Sequence, residues 1–136
     1  MEKDNTKYIL ELSADQAKLL SCACEFYSRI RMGQWQELLY CCSDLTNVDY
    51  CKIRDEIEPT ILEARSKVYP ELSKSYGHSY GVGKFKDADM IWEIYEVLRN
   101  KIAWHEHPEG GWTVDFNRPI SFSGEPLAKC DIKEDK

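Results

Sequence analysis

The segment DADMIWEIYEVLRNKIAW, residues 87–104, constrains the fold more than any other. Ala88, Ile91, Trp92, Tyr95, Leu98 and Ile102 recur at helical spacing and make one apolar stripe. Ile94, Val97 and Trp104 draw a second apolar line on another face. A helix apolar on two sides lies at the centre of a bundle or packs against another chain. The second line therefore predicts a homo-oligomer with Ile94, Val97 and Trp104 at the interface.

Three further helical stretches precede it. SADQ, a serine with a glutamine three residues on, is a capping box, and Leu19, Leu20, Ala23, Phe26, Tyr27 and Ile30 follow at helical spacing. This predicts a helix over about 14–31 that stops at Gly33, where a left-handed cap favours glycine. QWQELLYCC begins a short second helix, and the polar SDLTNVD, 43–49, breaks the chain. Ile53, Ile57, Ile61 and Val68 carry the next helix, which Pro59 must kink or restart and Pro70 must end. KYILEL, 7–12, and WTVDF, 112–116, alternate like short strands and are expected to pair. The fold class expected is α+β, mostly helical, with four or five helices and a small antiparallel β element. The chain reads as a single domain, 1–136, with a frayed end at 130–136.

With 43% hydrophobic and 31% charged residues the chain is an ordinary globular sequence, and its net charge of −6 opposes a nucleic-acid polymer as partner. No apolar run reaches the roughly 20 residues that span a bilayer, and the N-terminus has no signal-peptide core, so a cytoplasmic protein is expected. The 6 cysteines include no C-x-x-C pair, which suggests free thiols in a reducing compartment and neither a metal nor a cofactor.

Three segments carry candidate binding residues. SRIRMGQW places Arg29, Arg31, Gln34 and Trp35 at a helix end. A guanidinium fork, an aromatic face and an amide suit a planar anionic ligand such as a nucleotide. YGHSYGVGKFKDAD, 76–89, departs from the nucleotide-hydrolase loop. Gly77 and Gly83 are one residue too far apart, and Phe85 replaces the hydroxyl that would hold magnesium. This glycine loop, 77–83, reads either as a connector between two helices or as a segment whose amides can bind an anion, with His78, Tyr80 and Lys84 as candidate binding residues. Arg99, Trp104 and His105 form the third set; His105 and His107 lack the third partner of a metal site. No serine or cysteine sits in a nucleophile turn, so the chain is not expected to be an enzyme.

RIRMGQW (29–35), IWEIYEVLRNKIAW (91–104), PEGGWTVDF (108–116) and GEPLAK (124–129) together resemble a group of short proteins encoded in bacteriophage and prophage genomes. The resemblance implies a host cytoplasm during infection and carries over no residue roles. It implies a non-enzymatic binding protein that counters host defence. The first expectation is sequestration of a small anionic, nucleotide-like signal. The alternatives are a protein–protein inhibitor of a host defence or regulatory protein, and a structural accessory protein.

Overall fold

Ser13 decides where the first helix begins. Its hydroxyl accepts from the Gln16 amide at 3.2 Å, and the Gln16 side chain accepts from the Ser13 amide at 3.0 Å, so the capping box closes. Helix α1 then runs Ala14–Arg31. At its end the Gln34 amide donates to the Arg29 carbonyl at 2.8 Å and the Gly33 amide to Ile30 at 3.1 Å, the paired bonds of a Schellman turn. Gly33 has φ +97°, and a Cβ there would lie 2.5 Å from the Leu72 Cδ1 methyl. Gly33→Ala is therefore expected to cost about 1–3 kcal/mol, partly in backbone strain and partly in displacing Leu72. Urea unfolding measures it.

In the computed structural model residues 2–41, 50–72 and 78–134 are described. Helix α2 is Glu37–Cys41, α3 is Tyr50–Val68 and α4 is Lys86–Glu106. The polar break at 43–49, Cys42, Gly77 and residues 135–136 lie outside the described residues. Helix α3 runs through Pro59 as one helix and ends at Val68, before the Tyr69–Pro70 pair. No described helix is long and apolar enough to cross a membrane.

Helices α1 and α4 pack antiparallel. Tyr27 and Ser28 meet Asp87 and Ala88 at one end, while Lys18 pairs with Glu106 at the other. Small residues permit the close approach: Ser28 and Ala88 are wholly buried, and the Ser28 hydroxyl donates to the Ala88 carbonyl at 2.8 Å.

The expected β element is absent: among the described residues there is no strand, and the class is helical. Residues 112–116 fail as a strand because their backbone is satisfied elsewhere. Val114–Phe116 coil into a 3-10 turn. The Asn100 amide donates to the carbonyls of Asp115 and Asn117 at 3.0 Å each, and the Trp104 indole to Phe116 at 3.2 Å. From there the tail retraces α4, with the Ile120 amide on Glu96 and Phe122 and Ser123 on Glu93. Residues 7–11 are exposed and 7–12 form no strand; Lys3–Glu125 and Glu11–Lys133 ion pairs hold the arm beside the tail. A strand is a pairing of backbones, and among the described residues no backbone offers one.

Candidate functional site

The end of α1 gathers a cluster of rings. Tyr69, displaced from the helix by Pro70, lies edge-on to Trp35 and Tyr80 at centroid distances of 6.1 and 5.3 Å, and Phe85 stacks obliquely at 6.2 Å. The Arg31 guanidinium sits 3.7 Å above the Phe85 ring, and Lys84 5.5 Å from Tyr80. Beside this cluster opens a groove of about 410 Å³ lined by Ala23, Phe26, Tyr27, Ile30, Arg31, Trp35 and Tyr69.

Arg31 is held from several sides. Its Nε donates to Asp87 at 3.2 Å and Nη1 to the Tyr69 hydroxyl at 3.1 Å, and that hydroxyl donates back to the Arg31 carbonyl. The Tyr69 bond raises the Arg31 pKa further above neutrality. The Tyr27 hydroxyl donates to Asp87 at 2.7 Å, which raises the Tyr27 pKa and, with Arg31, holds the Asp87 carboxyl below its usual range. The groove thus has a fixed cation and aromatic rings in its lining.

Trp35 is aimed by a bond from its indole to the Ile30 carbonyl at 3.0 Å. Arg29 belongs elsewhere. Two positions apart on a helix differ by about 200°, so Arg29 and Arg31 cannot form one fork. Arg29 lies over Trp92 and binds Gln34 at 2.7 Å, committing both to the helix end.

No family model, curated protein or solved structure matches the chain.

The glycine loop contains an internal anion. Asp89, itself buried, accepts from the Gly83 amide with both carboxylate oxygens at 2.9 and 3.1 Å. The amide that was to meet a phosphate is already answered by α4. The His78 carbonyl accepts from the buried Arg65, so this segment anchors the turn after α1.

The third set stands apart. Arg99 is 12 residues beyond Asp87, about 18 Å along α4. It lies over Tyr95 at 4.7 Å, with Asp115 4.0 Å away. Trp104 packs edge-on against Phe116 at 5.3 Å, and His105 is exposed at the helix end. Ile94 and Val97 are half-buried, and Trp104 is 44% exposed. Of the expected ligand set the structure places Arg31 and Trp35 in the groove lining, with Tyr80 and Lys84 in the adjoining ring cluster. Arg29 is separated by helix phase, Gln34 is bound to it, and Arg99, Trp104 and His105 are separated by length.

Helical spacing gives Phe26, Tyr27 and Ile30 a place on α1 but no ligand role, and the sequence reading does not single out Tyr69. The available signal was Tyr69 directly before a proline, a position that takes a ring off the helix axis. Among the described residues no group of three or more histidines, cysteines or carboxylates is placed to hold a metal.

Proposed function

We propose that this protein binds a small anionic, nucleotide-like ligand in the groove at the end of α1 and holds it unchanged. The carrying observation is the groove itself: Phe26, Tyr27, Trp35 and Tyr69 wall a space that also contains Arg31. Its volume falls in the range of small-molecule sites, about 300–1,000 Å³. Aromatic faces stack a base, and a guanidinium held in place meets a phosphate at low entropic cost. Asp87 is exposed, so a phosphate replaces it on Arg31 without stranding a buried charge. The lining offers stacking and charge, which favours sequestration over turnover. The resemblance to phage-encoded proteins supports a host defence signal as the ligand.

Calorimetric titration with mononucleotides, dinucleotides and cyclic dinucleotides tests the reading. Micromolar or tighter binding of at least one is expected, with the nucleotide recovered intact from denatured protein. Arg31→Ala removes a charged hydrogen bond worth about 2 kcal/mol, roughly a 30-fold loss of affinity. Arg99→Ala, at the distant end, leaves affinity unchanged. Equal losses from both variants, or no binding by any probe, would overturn the assignment; a cleaved product would make the protein an enzyme.

A further inference from the structure

Residues 7–11, Lys-Tyr-Ile-Leu-Glu, belong to the arm that precedes α1. Tyr8 is 94%, Ile9 95% and Leu10 70% exposed. Consecutive side chains of a strand-type segment point to opposite sides, so exposure of all three leaves the arm open on both faces. Among the described residues, no backbone amide or carbonyl of 7–11 has a hydrogen-bond partner. Aromatic and β-branched side chains suit a pleated, half-buried surface, which this chain does not offer the arm. An apolar segment with an unpaired backbone is a template for pairing with another chain.

We infer that residues 7–11 pair antiparallel with the same residues of a second copy of this chain, about a two-fold axis at Ile9. The order of the residues is what selects a second copy. In an antiparallel pair centred on Ile9, Lys7 faces the partner's Glu11, Tyr8 faces the partner's Leu10, and Ile9 meets its own equivalent. A two-fold contact must be self-complementary in this way. Opposite charges close both ends around an apolar middle, and such cross-strand pairs are of the stabilising kind. A shift of one residue sets Lys7 against Leu12 and Glu11 against Tyr8 and loses both ion pairs, so the register is fixed. Two chains of net charge −6 repel, and a contact between them needs opposite charges set face to face, as these are. Within the chain, Glu11 Oε1 accepts from Lys133 at 3.1 Å with both side chains exposed, which leaves Oε2 for the partner's Lys7. Lys7 itself has no ion pair among the described residues. A two-stranded ribbon is marginal in water, so the dimer forms at high micromolar concentration. The expected interface line, Ile94, Val97 and Trp104, takes no part in this contact; Trp104 secures the tail through Phe116. No residue of 7–11 lines the groove, and the inference does not depend on the groove having a ligand.

Sedimentation equilibrium of the full chain without nucleotide, from about 10 μM to about 1 mM, tests it. The unmodified protein is expected to pass from monomer to dimer across that range. Lys7→Glu sets glutamates face to face at both ends, and Glu11→Lys sets lysines there; each raises the dissociation constant about 10-fold or more. Mixing the two variants restores opposite charges, and the mixture should associate more tightly than either variant alone. Ile9→Pro removes the central amide and should abolish association. The arm lies outside the helices, so helical circular dichroism is retained in every variant and excludes unfolding as the cause. A monomer at every concentration overturns the inference. So does self-association that Lys7→Glu leaves unchanged, or a mixture of the two charge variants that associates no better than its components.

Discussion

Arg65→Ala is expected to cost about 3–5 kcal/mol of folding free energy, because it leaves two carbonyls without their charged donor and a cavity where a large buried side chain stood. Arg65 has no exposed surface, and burial pushes its pKa down. Its Nη1 donates to the Gly33 carbonyl at 3.0 Å and the His78 carbonyl at 2.9 Å. One side chain from α3 thus joins the turn after α1 to the segment entering α4, and the Tyr80 amide adds a bond to the Met32 carbonyl at 2.8 Å. Alanine removes the donor from both carbonyls and leaves a cavity of arginine size. The midpoint of thermal unfolding should fall by about 10 °C or more. Arg65→Lys should recover little, because one ammonium lacks the planar fork. Since Trp35, which lines the groove, follows the turn that Arg65 holds, the ligand affinity proposed for the groove should fall as well. A loss under about 1 kcal/mol in urea titration would mean that the segments are held together by something else.

The features legible in the sequence are those decided within a few residues. The Ser13–Gln16 box, the Gly33 turn and the end of α3 ahead of Pro70 each depend on local geometry, and each stands where its residues put it. The strands did not survive because alternation in KYILEL and WTVDF states only that a segment suits an extended chain. Pairing depends on a distant backbone, and Asn100 and Trp104 took the carbonyls first. The site was half legible for a related reason. Arg31 and Trp35 were visible as chemistry beside a helix end. Their separation from Arg29 follows from helix phase, and Asp89 answering Gly83 is a tertiary contact that composition does not reveal. The buried surface was the least legible. Periodicity assumes apolar residues inside, whereas α1 and α4 bury Ser21, Ser28, Asp89, Glu93 and Glu96. The stripe drawn on α4 is buried at Ala88 and Leu98, but Ile91, Trp92, Tyr95 and Ile102 remain partly exposed.

Glu93→Ala is expected to cost about 3–5 kcal/mol, because it empties the buried acceptor on which Ser121, Phe122 and Ser123 of the tail close. The carboxylate is 3% exposed. Its Oε1 accepts from the Phe122 and Ser123 amides at 2.6 and 2.8 Å and from the hydroxyls of Ser121 and Ser123 at 3.0 Å; Oε2 accepts from Ser123 at 2.8 Å. Burial pushes its pKa up, but the Ser123, Phe122 and Ser121 donors outweigh burial and leave it lowered. A carboxyl with a depressed folded pKa stabilises fully above its unfolded value, near 4.3, and this contribution is lost as pH falls through the folded value. Glu96, one turn on, is raised, chiefly by burial, and titrates in the opposite sense. Unfolding by urea across the acid range should therefore show a loss of stability on acidification that Glu93→Gln reduces and Glu96→Gln does not. Glutamine keeps one acceptor oxygen but turns an NH₂ toward donors, so Glu93→Gln should fall between wild type and alanine at neutral pH. Should Glu93→Ala unfold at the wild-type urea midpoint, the tail would be held by its other contacts, and a share carried by the ion pairs Lys3–Glu125 and Lys86–Glu125 would show as salt sensitivity.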